Sequence, residues 1–192
     1  KQNNMIELFE FARAIPEKVT FSTSGVAGPA HLNLEYLQQL AGVKMLHVPF
    51  SGDVPAITAV LSGDVSIASV ATASATPFLI DGKLKALAAN GPGASRMKLK
   101  PDLLSVSEQT GFTQYNPHTW SVLVSARGTP PEIITILNKA LNEALRKPDV
   151  IEKLENLGLK PLYCDVQQVQ ELAQTESAEK KRVIDLIGLN RD

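Results

Sequence analysis

The sequence predicts an α/β protein built on a mostly parallel sheet. Short apolar runs of strand length alternate with segments in which apolar residues recur every three or four positions, and glycine or proline stands at most junctions. This alternation is typical of strand–helix–strand units with right-handed crossovers. The chain has 192 residues, 44% of them hydrophobic and 20% charged, which suits one globular domain or two small lobes and excludes a disordered segment.

Each predicted element has local start and stop signals. Pro16 ends the first helix, and Pro29 suits the first position of a helix that ends before Gly42. Asp53 is predicted as the N-cap of the next helix. The predicted strands cover 19–22, 45–50, 65–70, 84–89 and 120–125. The predicted helices cover 3–15, 29–41, 54–61 and 72–80, a short stretch after Ser105, a long one after Thr129, and then 148–157 and 166–187.

The last third of the chain differs in organisation from the part before it. A composition shift near residue 118 leads from closely alternating strands and helices into one strand followed by helices, so 117–119 is the predicted lobe boundary. Capping-box spacing occurs at 105–108 and again at 129–132. The helix after the second box carries one apolar face, formed by Ile133, Leu137, Leu141 and Leu145.

Several function classes are excluded by composition and motifs. A net charge of −1 leaves no basic footprint for nucleic acid, and the longest apolar runs are too short to span a bilayer. No dinucleotide, phosphate-loop or nucleophile-elbow motif occurs, so no cofactor and no enzymatic activity are predicted. The three histidines, His31, His47 and His118, lack the spacing of a metal site. Cys164 is the single cysteine, which rules out an internal disulfide.

Polar turns follow three of the predicted strands, at the sheet edge where ligands of open α/β sheets bind. Turn 1 (residues 23–28) contains Thr23, Ser24, Gly25, Ala27 and Gly28 and runs directly into a helix. Helix starts offer free N–H groups and a partial positive charge, so a carboxylate can be held there without Arg or Lys. Any one such turn is also typical of an ordinary strand–helix loop. Turn 2 (residues 49–53) adds Ser51 and turn 3 (residues 68–74) adds Ser69, Val70 and Thr72, and convergence of the three favours a ligand site.

Long stretches of the sequence resemble one family. VTFSTSGVAGPAHLNLEYLQQLAGVKMLHVPFSGDVPAITAVLSGDV, FLIDGKLKALA, TWSVLVSARGTPPEIITILNKALNEALRKPDV and LENLGLKPL are similar to the tripartite tricarboxylate transporter substrate-binding proteins, the Bug family. The resemblance implies a periplasmic-binding-protein fold of type II-like lobes that close over a ligand. It also implies small organic acids as ligands, periplasmic localisation and delivery to membrane transporter subunits.

By position, the resemblance implies that turn 1 forms the carboxylate cradle and that His31 lies at the start of the following helix. We expect a structural role for His31 in preference to a ligand contact. Residues 1–118 would form the second, ligand-binding lobe, and 119–192 would return to the first lobe, whose N-terminal part we expect to be absent. The family often has an Asp-Asn pair at turn 3, where this sequence has Val70 and Ala71. We therefore expect a ligand with a less polar far end, rather than an amino acid.

Two alternatives to transport stay open. The chain could be a ligand-sensing or signalling module of the same fold, or a shortened lobe that binds nothing and self-associates through exposed apolar surface. The sequence begins at Lys1 without an apolar leader, so we expect either a removed signal peptide or a start inside a longer protein. The interpretation adopted is a periplasmic solute-binding protein that captures a small organic carboxylate, with no nucleic-acid partner.

Overall fold

The chain divides into two compact units. The computed structural model describes residues 2–90, 100–115, 117 and 120–189. Unit 1 is Lys1–Thr119 with Val183–Asp192, and unit 2 is Trp120–Arg182. The predicted lobes, 1–118 and 119–192, refer to a larger two-lobed protein and stay predictions.

A three-stranded parallel sheet forms the centre of unit 1. It contains β1 (Thr20–Thr23), β2 (Leu46–Pro49) and β3 (Ile67–Ala68) in the order β2-β1-β3. In the central strand, Phe21 lies opposite His47 on one side and opposite Ile67 on the other. The predicted α/β class with a parallel sheet is therefore confirmed.

Helices cover both faces of this sheet. They are α1 (Met5–Ala14), α2 (Pro29–Ala41), α3 (Asp53–Ser62), α4 (Thr72–Ile80) and α5 (Val106–Thr110). Because side chains alternate along a strand, Phe21 faces a buried cluster shared with α1 and α2, while Ser22 faces α3 and donates to the Ala56 carbonyl at 3.0 Å. α4 packs against α3.

The hydrophobic core of unit 1 lies on the α1/α2 side of the sheet. Leu8 and Leu37 are almost fully buried there, as the periodic apolar residues of the two helices require. The α2 helix keeps both predicted ends, because Pro29 occupies its first position and Gly42 takes the left-handed conformation at φ 62°. The buried members of the core are Met5, Leu8, Phe9, Ala12, Val19, Phe21, Leu34, Leu37, Ala41, Val43, Met45, Val106 and Tyr115.

Two predicted strands of unit 1 are shorter than expected or missing. The third is reduced to Ile67–Ala68, and 84–89 forms only an isolated parallel bridge between Ala89 and Ser105. The backbone of the latter segment bonds instead to the Gln109 side chain. Gln109 Nε2 donates to the carbonyl of Leu87 in this segment at 2.9 Å and to that of Leu104 at 3.0 Å, so a side chain takes the place of a neighbouring strand at Leu87.

Unit 2 is helical in its described part. Its helices are α6 (Pro131–Leu145), α7 (Pro148–Asn156) and α8 (Val166–Ile187), whose last residues belong to unit 1. The predicted strand at 120–125 is wrong. The segment is irregular and Val124 is 78% exposed, because a strand needs a neighbouring strand and none of the described residues supplies one. No described helix has the length and apolar character needed to span a membrane.

The predicted capping box at 129–132 is also wrong, whereas the box at 105–108 is confirmed. Ser105 and Glu108 exchange hydrogen bonds with each other's backbone N–H groups. α6 instead has Pro130 at its N-cap position, and the Thr129 hydroxyl donates to the Ala126 carbonyl at 2.8 Å. None of the residues of α6 is buried, and Ile133, Leu137 and Leu141 of its predicted apolar face are exposed.

Gln109→Leu should destabilise unit 1. The side-chain oxygen of Gln109 also accepts the Met5 N–H at 2.8 Å, so the substitution removes three hydrogen bonds to the backbone. It leaves the Met5 N–H and the Leu87 carbonyl without a partner among the described residues, while the Leu104 carbonyl keeps the Ala89 N–H. We expect a loss of about 2–3 kcal/mol in the free energy of unfolding, measured by urea denaturation with circular dichroism. Gln39→Leu is the matched control, because exposed Gln39 makes one 3.3 Å bond to the Leu186 carbonyl. Equal losses in the two variants would contradict this role of Gln109.

Candidate functional site

The three polar turns begin side by side at the carboxyl edge of the sheet. Phe50 N–H donates to the Thr23 carbonyl at 3.0 Å, and Ser69 N–H donates to the Ser22 carbonyl at 2.9 Å, so both ladders continue to the end of β1. Neighbouring strands lie roughly 4.8 Å apart, which places the ends of β2 and β3 about 10 Å from each other with the end of β1 between them.

Each turn leads into a helix whose N-cap provides no side-chain hydrogen bond. The N-cap residues are Gly28 for α2, Gly52 for α3 and Ala71 for α4. The first N–H groups of a helix lack intrahelical partners and carry a partial positive charge, so this edge favours an anion. Pro29 removes one of these donors from α2.

The predicted residues of turn 1 divide into two groups. Thr23 is fully buried, and its hydroxyl donates to the Gly25 carbonyl at 2.8 Å, so it shapes the turn. Ala27 donates its N–H to His31 Nδ1 at 3.0 Å and is therefore occupied as well. Ser24 is exposed and has no hydrogen bond to any described residue. Gly25 and Gly28 border open space, since a Cβ added at either would meet nothing within 4 Å.

Two stacked histidines support turn 1 from behind. His31 is only 4% exposed, and its Nε2 lies 3.4 Å from the Glu35 carboxylate. Its ring stacks on His47 at a centroid distance of 3.8 Å, and His47 stacks on Phe21 at 4.8 Å. His47 Nε2 lies 2.7 Å from the Thr23 hydroxyl oxygen. The pair therefore contacts the start of turn 1 through His47 and its end through His31.

Burial keeps both rings neutral near neutral pH. Desolvation lowers the pKa of His31, although the Glu35 carboxylate opposes this. Desolvation also lowers the pKa of His47 to about 4, and the charge that His31 would carry adds to the effect. With Nδ1 of His31 accepting the Ala27 N–H, the proton of the neutral ring belongs on Nε2, which faces Glu35.

Asp53 joins turn 2 to turn 3. The prediction that it caps its own helix is wrong, because Gly52 holds that position. Its Oδ2 instead accepts the Ala71 N–H at 3.1 Å and the Ser74 hydroxyl at 2.8 Å. A carboxylate therefore lies beside turn 3, although Val70 and Ala71 stand where the family often has an Asp-Asn pair. The acidic group comes from the helix after turn 2.

The remaining predicted residues lie on turns 2 and 3. Ser51 is exposed, and none of the described residues hydrogen-bonds to it. Ser69 and Val70 are half-buried in turn 3, and Thr72, also half-buried, is the first residue of α4. Among the described residues, no three His, Cys, Asp or Glu side chains cluster as metal ligands. His118 lies outside the described residues.

Sequence reasoning missed the site roles of His47 and Asp53. Both act through contacts with residues distant in the sequence, so neither forms a local motif. The available signals were that His47 lies in a predicted strand beside β1, and that Asp53 follows turn 2 at a helix start.

The chain matches one family model and several curated relatives. The model described as "Tripartite tricarboxylate transporter family receptor" matches residues 1–189. The UPF0065 protein in the gbd 5′ region of Cupriavidus necator is 32% identical over 187 residues, which are 96% of this chain and 55% of that protein. Protein BugT of Bordetella pertussis is 26% identical over 170 residues, 88% of this chain and 51% of that protein. The chain thus spans about half the length of these relatives.

Solved structures with the same fold include two with carboxylates. R. palustris Rpa4515 with adipate has a TM-score of 0.88 and 25% identity, covering 97% of this chain and 62% of that one. MatC (Rpa3494) from Rhodopseudomonas palustris with bound malate has a TM-score of 0.76 and 28% identity, covering 96% and 62%. The periplasmic binding protein BugD has a TM-score of 0.84 at 23% identity. The predicted periplasmic-binding-protein fold is confirmed.

Acid should destabilise the protein through the histidine pair. The pKa of His47 is lowered from 6.5 to about 4 in the folded state, so the unfolded chain binds the proton at a higher pH than the folded chain does. The contribution of neutral His47 to the free energy of unfolding is therefore complete above pH 6.5 and is lost as the pH falls to about 4. The shift corresponds to about 3 kcal/mol at most, and solvent screening at half-buried His47 reduces the expected loss to roughly 1–2 kcal/mol.

His47→Phe keeps an aromatic stack but cannot titrate. Between pH 7 and pH 4 the unchanged chain should therefore lose roughly 1–2 kcal/mol more unfolding free energy than this variant does, measured by urea denaturation. Carboxylates that titrate in the same range contribute equally to both proteins. Parallel pH profiles would contradict a titrating role of His47.

Proposed function

The chain belongs to the tripartite tricarboxylate transporter receptor family, and we propose that it is a solute-binding protein that holds a small organic carboxylate at turns 1 to 3. The observation that carries the proposal is the arrangement of this edge. Three parallel strands end together, and each leads into a helix without a side-chain cap at its N-cap. Such an edge presents several backbone donors to one small anion.

The chemistry of the turns fits a carboxylate held by neutral donors. Residues 23–28, 49–53 and 68–74 contain no Lys or Arg. An anion there would be bound by helix-start N–H groups and by the free hydroxyls of Ser24 and Ser51. The open space at Gly28 lets the ligand approach the backbone at the start of α2.

The comparisons support the ligand class and the transport role. Adipate and malate, the molecules named with two structural neighbours, are both carboxylates. The family is described as a transporter receptor, which supports our proposal that the whole protein works in the periplasm and delivers its ligand to membrane transporter subunits.

Binding rather than catalysis is proposed for the same edge. The family and the fold are those of transport receptors. A nucleophilic serine needs a base within hydrogen-bonding reach, and neither Ser24 nor Ser51 has a hydrogen bond to a described side chain. The hydroxyls are therefore better suited to donate to a ligand than to attack one.

Gly28→Val should abolish ligand binding without unfolding the chain. At φ −72° and ψ 167° a larger residue is allowed, and its side chain would point into open space in front of α2. We expect at least one acid from a panel of mono-, di- and tricarboxylates to raise the melting temperature of the unchanged chain, and we expect no such shift for Gly28→Val. The unliganded melting temperatures should agree within about 2 °C.

Ser24→Ala tests the hydroxyl separately, and a several-fold weaker affinity is expected from the loss of one neutral hydrogen bond of about 1 kcal/mol. Ser177→Ala is its matched control, because Ser177 is an exposed serine on α8. Retained ligand shifts in Gly28→Val, or the absence of any shift across the panel with the unchanged chain, would contradict the proposed site.

A further inference from the structure

Asp53 brings a negative charge into the centre of the proposed site. Its helix, α3, follows β2, yet its carboxylate bonds to the backbone and side chain of the segment after β3. The strand order is β2-β1-β3, so this contact passes over the end of β1, where turn 1 begins. The bond from Ser22 to the Ala56 carbonyl independently fixes the first turn of α3 over β1.

No opposite charge in the three turns compensates for Asp53. It is the single ionisable residue among 23–28, 49–53 and 68–74. The turns lie within about 10 Å of one another, which is close to the screening length of about 8–10 Å at 0.10–0.15 M salt, so any anion bound at this edge experiences the Asp53 charge.

The geometry leaves one oxygen of Asp53 available. Oδ2 accepts both hydrogen bonds, from Ala71 N–H and from the Ser74 hydroxyl, while Oδ1 accepts none from any described residue. The side chain is half-buried. A carboxylate held at one oxygen and open at the other accepts a hydrogen bond from a donor and repels a second anion.

We propose that Asp53 determines ligand specificity: it selects carboxylates that carry a hydrogen-bond donor, a hydroxyl or an ammonium, at a distance from the carboxylate, and it rejects those that carry a second carboxylate. This inference rests on the proposed function, since it concerns the far end of a ligand whose carboxylate is bound at turn 1. It replaces the sequence-based expectation of a less polar far end.

Matched acids of equal length test the role of Asp53. The probes are butyrate, 4-hydroxybutyrate, 4-aminobutyrate and succinate, which differ only in the group at the far carbon, together with the corresponding five- and six-carbon sets. Affinities are measured by isothermal titration calorimetry on the unchanged 192-residue chain, on Asp53→Asn and on Asp64→Asn. Asp64, exposed just beyond the C-terminal end of α3, is the control with the same change in charge.

In the unchanged chain we expect the hydroxy and amino acids to bind most tightly and the dicarboxylate to bind at least about tenfold more weakly. Asp53→Asn should raise the affinity for the dicarboxylate relative to the amino acid by about tenfold or more, and Asp64→Asn should not change this ratio. If the ammonium is the preferred donor, the amino acid loses more affinity in Asp53→Asn than the hydroxy acid does.

An unchanged ratio in Asp53→Asn would overturn the specificity role while leaving the proposed function intact. If the unchanged chain bound the dicarboxylate more tightly than the amino acid, the specificity role would be overturned too. This comparison uses the unchanged chain alone, so it does not depend on whether a variant folds. Failure of every acid in all three sets to bind the unchanged chain would count against the proposed function itself.

Discussion

The parallel pairing of β1 with strands on both sides is the constraint on which the rest of unit 1 depends. Its register places Phe21 towards α1 and α2, and Ser22 towards α3. A slip of one residue would exchange these faces, because successive side chains of a strand point in opposite directions. The same register brings the ends of three strands together, so burial of the core and assembly of the site follow from one set of backbone hydrogen bonds.

Core packing also determines the conformation of turn 1. Ala27 has φ 58°, a left-handed conformation that costs a residue with a Cβ on the order of 1 kcal/mol. The hydrogen bond from its N–H to buried His31 offsets this cost, and His31 is held in place by stacking on His47. The backbone of the turn is therefore held at Thr23 by half-buried His47 and at Ala27 by buried His31.

The sequence predicted those features that depend on local signals. The bounds of α2, α4 and α8 agree with the structure, because proline, glycine and apolar periodicity act within one helix. The strands at 84–89 and 120–125 failed, since a strand exists only if a neighbour accepts its hydrogen bonds. The positions of the three turns were predictable for the same local reason, whereas the contacts of His47 and Asp53 depend on how strands are ordered in the sheet.

Asp53 combines a structural and a selective role because its two oxygens have different environments. The bonds at Oδ2 hold turns 2 and 3 together, and they also prevent the side chain from rotating away from an approaching anion. A flexible surface carboxylate would avoid a second negative charge at little cost, but a carboxylate fixed by two donors cannot. In the proposed site, turn 1 attracts a carboxylate only through neutral dipoles, so the single fixed charge of Asp53 would decide which anions remain bound.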